Sequence, residues 1–359
     1  MRIGFTLLLA LAGILVYGQH WDLVWADEFD GTKLDDAKWS FMFGTGSDYG
    51  LTNWGNEELQ YYRAENAVVA DGFLTITAKQ ESYGGKSYTS ARIRTAEKGD
   101  WTYGRIEARA KMPKGKGLWP AIWMLPTDNA YGGWANSGEI DIMEYLGDDP
   151  TKVHGTIHYG GQWPNNQSTT KSYTLNEGDF CNEFHEFAFE WEEGRMRWYV
   201  DGELYSTITS WSASGYPFPA PFNRRFHLLV NLAVGGRWPG NPDASTSFPQ
   251  ELVLDYIRVY EKGSNSALDE QAGEAGFNVH VTPNPINGQG HIQFRLHREG
   301  EVNLYLFDGT GRNVATLLAE RRAAGVHEIA FEASDFRPGS YFCHLRSGRQ
   351  TEVCKLLVF

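Results

Sequence analysis

The stretch RWYVDGELY, residues 197–205, decides the fold class of this chain. Aromatic and β-branched residues flank Asp201-Gly202, and an Asp-Gly pair between such runs is typical of a tight turn between antiparallel strands. Other runs of this kind predict further short strands: FLTITA at 73–78, GRIEARAKM at 104–112, HEFAFEWEE at 185–193 and LVLDYIRVY at 252–260. Residues 20–262 therefore predict an all-β fold, either an antiparallel two-sheet sandwich or a jelly roll.

The composition changes after Tyr260. Residues 263–276 are small, polar and acidic, and they predict a linker. A second series of short strands follows, beginning near residue 277 and ending with KLLVF at the C-terminus. We predict a first domain at 19–262 and a small β-sandwich of about five to seven strands at 277–359.

Residues 1–18 have the pattern of a secretory signal peptide. Arg2 precedes the apolar run FTLLLALAGILVY, and Val16 and Gly18 occupy the −3 and −1 positions of a cut before Gln19. The run is short for a membrane span, although an uncleaved anchor is the competing interpretation. We therefore expect a protein that is secreted, either extracellular or attached to the outer surface.

Charge and cysteine content exclude several classes of protein. The net charge of −13 argues against a nucleic-acid partner, because phosphate binding needs a basic surface. Three cysteines are too few for a disulfide scaffold or a Cys-rich zinc site. Cys343 and Cys354 flank a predicted turn at 347–350, so a disulfide across a hairpin and two unpaired apolar thiols are both open interpretations. Cys181 is left over and is expected to be buried.

The segment GEIDIMEY, residues 138–145, contains three carboxylates with unusual spacing. On a regular strand Glu139 and Asp141 would share one face and Glu144 would lie on the other. A β-bulge at Ile142-Met143, with Met143 as the extra residue, would return Glu144 to the face of the other two acids. Three ionised carboxylates in one line are costly in a core, so this line predicts the wall of a wet cleft.

Two glutamates with an aspartate between them suit glycoside hydrolysis. One glutamate attacks the anomeric carbon while the other donates a proton to the leaving oxygen. The aspartate would orient the nucleophile and keep the pKa of the acid raised. An exposed acidic strand or a calcium loop is the competing interpretation of the same three residues.

Neighbouring segments favour the catalytic interpretation. Trp119 and Trp123 in GLWPAIWML share one strand face, which suits stacking on sugar rings as well as core filling. His158 shares a face with His154 in VHGTIHYGG and could tune the pKa of an acid, although a structural histidine is common. Arg92, which shares a face with Arg94, could bind sugar hydroxyls or pair with the nucleophile; a surface ion pair is the other interpretation.

These motifs together resemble glycoside hydrolase family 16, and within it the bacterial endo-β-1,3-glucanases known as laminarinases. Further matching segments are ADEFDG at 26–31, NWGNEELQYY at 53–62, DGFLTITA at 71–78, NLAVGGRWPG at 231–240 and LDYIRVYE at 254–261. The resemblance covers about residues 21–262. It implies a concanavalin-like β-jelly roll with a concave substrate cleft, and endo-acting, retaining hydrolysis of β-1,3-glucan.

The resemblance also implies roles for individual residues. Glu139 would be the nucleophile, Glu144 the acid/base and Asp141 the assisting carboxylate. Sugar or the catalytic acids would be contacted by the following residues: Trp119, Trp123, His158, Arg92, Asn66, Trp134 and Trp238. A structural calcium ion is common in the family, and its matching ligands here would be Glu28, the carbonyl of Gly72 and Asp255. No cofactor is implied for catalysis.

The C-terminal region resembles the sorting domain of type IX secretion. TPNPINGQ, LFDGTGR and FRPGSYFCHL match its short strands and turns. This implies the type IX secretion machinery as a partner. The family 16 resemblance implies β-glucan as the substrate, and we expect a monomer. A carbohydrate-binding or spacer module is the alternative, although the segment contains no Trp.

Other substrates and one other class of function remain open. Mixed-linkage β-1,3-1,4-glucan, agarose, carrageenan and xyloglucan are alternatives on the same mechanism. The extra Met143 argues against the shorter motif of the lichenase and xyloglucan branches, and the acidic chain argues against a sulfated substrate. A non-catalytic glucan-recognition protein is the alternative of another class, but it would be expected to lose the acids that are present here.

Overall fold

The computed structural model describes residues 21–263, 277, 279–296, 299–308, 312–347 and 350–359. The predicted signal peptide and most of the predicted linker lie outside the described residues. Within the described ranges, no helix is both long enough and apolar enough to cross a membrane.

Strands dominate the first β-domain, residues 21–262. They are β1 (Trp21–Asp27), β2 (Ser40–Phe41), β3 (Gln60–Tyr62), β4 (Ala67–Ala70), β5 (Phe73–Ala78), β6 (Tyr88–Ser90), β7 (Arg92–Arg94), β8 (Asp100–Trp101), β9 (Gly104–Lys111), β10 (Leu118–Pro126), β11 (Glu139–Tyr145), β12 (Lys152–Tyr159), β13 (Gln167–Thr174), β14 (His185–Glu192), β15 (Arg195–Val200), β16 (Glu203–Ile208), β17 (Phe226–Val234) and β18 (Gln250–Lys262). Short 3-10 turns lie at Ser47–Tyr49, Asn53–Gly55 and Ala64–Asn66.

Sixteen of these strands form two large antiparallel sheets, and β3 pairs in parallel with β6 in a separate two-stranded sheet. The β9 sheet has the order β16-β15-β14-β9-β18-β5-β4, with β1 paired to β18. The β11 sheet has the order β13-β12-β11-β10-β17-β7-β2, with β8 paired to β17. Val200 pairs with Glu203 across the predicted Asp-Gly turn, so the hairpin from which the fold class was inferred is confirmed. The predicted all-β, two-sheet architecture is also confirmed.

A single hydrophobic core lies between the two sheets. In β9 every second residue is buried, and β5 shows the same alternation, because successive side chains of a strand point to opposite faces. Ile106 and Ala108 from the β9 sheet belong to the same buried cluster as Ile122 and Ile140 from the β11 sheet. The outer face of each sheet, which points away from this core, can therefore carry polar residues and a binding site.

The predicted bulge is present in β11. Asp141 pairs with Thr156 and Glu144 pairs with His154, so two residues of β11 oppose only Gly155 of β12. Toward β10, Met143 pairs with Ile122 and Ile142 is the unpaired residue. The prediction of a bulge at Ile142-Met143 is confirmed, but the prediction that Met143 is the extra residue was wrong on the β10 side.

Gly155 is required opposite this bulge because the core approaches its backbone closely. A Cβ atom there would lie 2.5 Å from Cδ1 of Trp198 and 2.6 Å from the hydroxyl of Tyr205. Trp198 is fully buried and donates its indole N–H to the carbonyl of Asp141 at 2.9 Å. The indole therefore fixes the backbone of β11 at the bulge.

Gly155→Ala should lower the free energy of unfolding by about 1–3 kcal/mol, because an overpacked core must move side chains off their preferred positions. Chemical denaturation of the full chain measures this change. The matched control is Gly133→Ala, where the added Cβ would have no atom closer than 3.6 Å. Equal stability of the two variants would contradict the close approach described for Gly155.

The second β-domain, residues 277–359, has its own core. Its strands are β19 (His280–Thr282), β20 (Gln289–Leu296), β21 (Gly300–Asp308), β22 (Asn313–Arg322), β23 (Gly325–Glu332), β24 (Gly339–Ser347) and β25 (Gln350–Val358), with a 3-10 turn at Ala333–Asp335. One sheet has the order β19-β20-β23 and the other β22-β21-β24-β25. Ile292 and Phe294 of the first sheet pack with Leu304 and Leu345 of the second. The predicted small β-sandwich is present.

Two of the three cysteines face each other on the terminal hairpin. Cys343 on β24 pairs directly with Cys354 on β25, as the spacing around the turn suggested. Both are free thiols, so the predicted disulfide between Cys343 and Cys354 is not formed in this structure. Cys181 is only partly buried, and its thiol lies 3.0 Å from the hydroxyl of Tyr145.

Candidate active site

The three carboxylates of β11 share one face of the β11 sheet. Ile140, Ile142 and Met143 point into the core between the sheets. The carboxylates of Glu139 and Asp141 approach the ring of His158, and their charges also act on Glu144. The bulge therefore places Glu144 on the same face of the sheet as Glu139, as we predicted from the spacing of the acids.

Glu139 lies between two groups that stabilise its negative charge. The indole N–H of Trp134 donates to Oε2 of Glu139 at 2.7 Å, and Nε2 of His158 lies 3.7 Å from Oε1. Burial raises the pKa of Glu139 to about 7, and the charge of Asp141 acts in the same direction. His158, the hydrogen bond from Trp134 and the charge of Arg92 oppose that rise.

Among the described residues, the hydrogen-bond partners of Glu144 are neutral. Nε1 of Trp119 donates to Oε1 at 3.2 Å, and the hydroxyl of Thr156 donates to Oε2 at 3.4 Å. Burial, followed by the negative charges of Asp141 and Glu139, holds the pKa of Glu144 well above its ordinary value. Glu144 therefore keeps its proton to higher pH than an ordinary glutamate.

Asp141 and His158 form the centre of the charge cluster. Oδ2 of Asp141 lies 3.4 Å from Nε2 of His158, and the Asp141 side chain is almost fully buried. Burial alone would lower the pKa of His158, but the close carboxylate of Asp141 and the charge of Glu139 raise that pKa to about 10. A protonated His158 thus offsets part of the negative charge of three adjacent acids.

Aromatic side chains lie next to each of the two glutamates. Trp238, which is 43% exposed, meets Trp119 edge to face at 5.4 Å and lies 5.1 Å from the ring of His154. On the Glu139 side, Trp134 is 39% exposed and lies 6.4 Å from Trp163, which is 66% exposed. Exposed indoles beside buried acids form a surface that suits the apolar faces of sugar rings.

Comparison with known families agrees with this geometry. The model of glycosyl hydrolases family 16 matches residues 55–256. The chain belongs to glycoside hydrolase family 16. A second model, described as a secretion system C-terminal sorting domain, matches residues 280–359. The chain is therefore a glycoside hydrolase with a C-terminal sorting domain, and that domain indicates secretion.

Individual relatives agree with the family assignment. The chain is 45% identical to the β-glucanase of Rhodothermus marinus, over 67% of this chain and 85% of that protein. It is 44% identical to glucan endo-1,3-β-glucosidase A1 of Niallia circulans, over 67% of this chain but only 38% of that longer protein. The laminarinase catalytic domain of Thermotoga maritima superposes with a TM-score of 0.62 at 45% identity, covering 68% of this chain and 99% of that one.

Arg92 lies on the same sheet face as Glu144, to which it is linked by the paired residues Asn231 and Ala121, but aromatic side chains cover it and leave little of it accessible to sugar. Its guanidinium is stacked between Trp54 at 4.5 Å and Trp123 at 4.7 Å, and the residue is 5% exposed. Burial lowers the pKa of Arg92, and the charge of Glu58 opposes that shift. Trp54 comes from the turn Asn53–Gly55, and the spacing of β7 could not show that this turn covers Arg92.

Asn66 is a structural residue, which corrects the prediction that it contacts sugar or the catalytic acids. It is 1% exposed, and its side-chain amide donates to the carbonyl of Thr77 at 2.8 Å and to the hydroxyl of Thr89 at 3.0 Å. These bonds tie the turn before β4 to β5 and β6. Matching Asn66 to a position of the family pattern did not reveal that its side chain is buried in contacts with Thr77 and Thr89.

The other predicted cleft residues surround the acids. Trp119, Trp134 and His158 contact the catalytic carboxylates directly, and Trp238 contacts Trp119. Trp123 pairs with Asp141 on the neighbouring strand, and its indole donates to Oδ1 of Asn231 at 2.8 Å. The sugar contacts of these residues remain predictions.

Sequence reasoning missed two residues of this region. Glu58 is 3% exposed, accepts hydrogen bonds from Gln60 and Tyr62, and acts on the buried charge of Arg92. Trp163 extends the exposed indole surface beyond Trp134. Its signal was a large aromatic residue within the Gly-, Pro- and Asn-rich segment GGQWPNN, where a core role is uncommon.

The three predicted calcium ligands converge on one point. The carbonyl of Glu28, the carbonyl of Gly72 and Oδ1 of Asp255 all accept hydrogen bonds from the ammonium of Lys355. Convergent carbonyl and carboxylate oxygens fit a hard cation, and the ammonium stands at the position that such an ion would take. Calcium at this site remains a prediction.

Proposed function

We propose that this chain is a secreted, endo-acting glycoside hydrolase that cleaves β-1,3-glucan with retention of anomeric configuration. The observation that carries the proposal is the shared cleft face of Glu139 and Glu144, whose surroundings favour opposite protonation states. The anomeric configuration is retained because the reaction is a double displacement. One carboxylate bonds to the sugar, and the other transfers protons.

Glu139 is the proposed nucleophile. Its carboxylate attacks the anomeric carbon while the bond to the leaving oxygen breaks, which forms a glycosyl ester. The N–H of Trp134 and the charge of His158 lower the pKa of Glu139, so it ionises before Glu144. Because the two acids are coupled, the free enzyme titrates in two macroscopic steps that belong to the pair.

Glu144 is the proposed acid/base. Its raised pKa keeps a proton available for the leaving oxygen in the first step. In the second step, the Glu144 carboxylate takes a proton from water as that water attacks the anomeric carbon, and the sugar leaves Glu139. Asp141 assists both steps, because its charge raises the pKa of Glu144 and its carboxylate lies 3.4 Å from Nε2 of His158, where it favours the charged imidazole.

The substrate class is supported by the aromatic surface and by the relatives. Exposed indoles beside both acids suit a glucan chain that continues past the cleaved bond in both directions. The relatives named as glucan endo-1,3-β-glucosidase and laminarinase share more than two fifths of their aligned residues with this chain.

The same proposal includes three further statements. The chain has the domain boundaries given above, it is exported by the type IX machinery after removal of the signal peptide, and it is a monomer.

The proposed steps use no cofactor. A calcium ion held by Glu28, Gly72 and Asp255 would tie distant chain segments together and would take no part in the chemistry.

The test is reducing-end release by the purified full chain. The panel is linear β-1,3-glucan, barley mixed-linkage glucan, agarose and carrageenan, with product sizes measured by chromatography. Rapid release of mixed oligomers from β-1,3-glucan, with the β-anomer formed first by NMR, supports the proposal. Activity on a galactan alone would retain the mechanism and overturn the substrate. Glucan binding without cleavage would instead indicate a recognition protein.

His158→Asn should move the acid limb of the kcat/KM profile to higher pH. The protonated His158 lowers the pKa of Glu139, so its removal raises that pKa above about 7 and more alkali is needed to ionise the nucleophile. The control is His154→Asn on the same strand, because the ring of His154 lies against Trp238 and bonds to Ser172. An acid limb that moves equally in both variants, or toward lower pH, would contradict the role of His158.

A further inference from the structure

The two β-domains meet at the oxygens proposed to bind calcium. Lys355 lies on β25, and it is the only lysine that follows Lys262 in the sequence. Its side chain is 4% exposed and reaches across to the first β-domain. The ammonium donates to Oδ1 of Asp255 at 3.0 Å, to the carbonyl of Glu28 at 3.4 Å and to the carbonyl of Gly72.

A buried ammonium needs compensation of this kind. Removing a charge from water is costly unless opposite charge and hydrogen-bond partners replace the lost hydration. Three oxygens of the first β-domain supply all three acceptors that an ammonium can use. The Lys355 ammonium is thus bound as a tethered cation, and these oxygens form what we call the cation pocket (Glu28, Gly72 and Asp255).

Neighbouring contacts hold Lys355 in the cation pocket. Arg109 donates to Oδ2 of Asp255 at 2.6 Å and to the carbonyl of Asn284 at 2.7 Å, which joins the two domains beside the pocket. The side chain of Asn284 in turn bonds to the backbone of Lys355 at 3.1 Å and of Leu357 at 2.8 Å. β25 is therefore fixed on both sides of the lysine.

Gly72 allows this close approach. It has a φ of +79°, and a Cβ atom at this position would lie 2.6 Å from Nζ of Lys355. The absence of a side chain at residue 72 therefore leaves room for the Lys355 ammonium beside the Gly72 carbonyl.

We propose that Lys355 and a divalent cation compete for the cation pocket, so that docking of the C-terminal β-domain and binding of calcium exclude each other. Calcium takes about six to eight oxygen ligands at roughly 2.3–2.6 Å, which requires the same three oxygens that the ammonium engages. A monovalent and a divalent cation placed side by side on one set of oxygens would also repel each other strongly. Any event that separates the two domains would open the pocket to calcium.

Calcium titration of the full chain and of Lys355→Ala tests this proposal by calorimetry. The variant should bind one calcium ion at least about tenfold more tightly than the unsubstituted chain, because the competing charge is gone. Its melting temperature should rise with calcium, whereas that of the unsubstituted chain should change little. Both measurements are independent of glucan cleavage.

Two further variants complete the design. Lys355→Gln keeps the length of the side chain but removes its charge, and it should also gain calcium binding if Lys355→Ala fails to fold. Lys262→Ala removes one exposed lysine that pairs with Glu192, and it should gain none. Equal calcium affinity of the unsubstituted chain and the Lys355 variants overturns the proposal. Absence of binding in both Lys355 variants, or a gain in Lys262→Ala, overturns it as well.

Discussion

Glu139→Ala should abolish cleavage of β-1,3-glucan while the protein remains folded and binds the polysaccharide. The rate should fall by about 10⁴-fold or more, because the carboxylate that would form the covalent intermediate is removed. Substrate binding should persist, since Trp119 and Trp238 do not depend on this carboxylate for their mutual contact. Initial rates on β-1,3-glucan and affinity electrophoresis in the same glucan measure the two effects.

Azide distinguishes a lost nucleophile from a damaged site. In Glu139→Ala the missing carboxylate leaves space for a small anion, which attacks from the side that Glu139 occupied. A single displacement on an activated aryl β-glucoside then gives an α-glycosyl azide, and NMR detects its inverted configuration. The control variant Glu192→Ala removes a carboxylate from the opposite sheet and should retain normal rates. A β-azide from Glu139→Ala would contradict its assignment as the nucleophile.

The strands, and the shared face of Glu139, Asp141 and Glu144, could be predicted from the sequence because the patterns that indicate them are local. Alternation along β9 and the Asp-Gly turn before β16 depend only on neighbouring residues. The bulge could be inferred because three acids in a core strand would be costly, and a bulge removes that cost. The identity of the unpaired residue depends on pairing with β10, and this long-range register was not in the sequence pattern.

Arg92 shows the limit of reasoning from spacing. Alternation correctly separated Arg92 from Ile93, but alternation does not reveal what covers a strand face. The indole of Trp54 reaches Arg92 from a turn more than thirty residues earlier, and Trp123 reaches it from another strand. The result is a buried cation that acts on Glu139 through charge without a direct hydrogen bond in the described structure.

Lys355 shows a second limit, which is contact between domains. The positions of Glu28, Gly72 and Asp255 could be matched to a family pattern, because all three lie in the first β-domain. The cation that they contact belongs to β25, separated from Asp255 by the predicted linker and by six other strands. Nothing in the local sequence pattern around residue 355 distinguishes Lys355 from an ordinary exposed lysine of a strand.

Glu144→Ala should have an effect that depends on the leaving group. Cleavage of β-1,3-glucan should fall by roughly 10²- to 10⁴-fold, because the poor leaving oxygen no longer receives a proton. An aryl β-glucoside with an acidic phenol leaves without protonation, so its first step should remain fast and a burst of phenol should precede slow turnover. Stopped-flow absorbance measures the burst, and steady-state rates on the glucan measure the loss.

Azide should accelerate the slow second step of Glu144→Ala and give a β-glycosyl azide, since it replaces the water that Glu144 would activate on the face opposite Glu139. Opposite azide configurations from the two alanine variants would assign the two glutamates separately. Equal losses on the glucan and on the activated substrate would contradict the acid/base role. They would show that Glu144 acts by holding Trp119 and Thr156 in place rather than by transferring a proton.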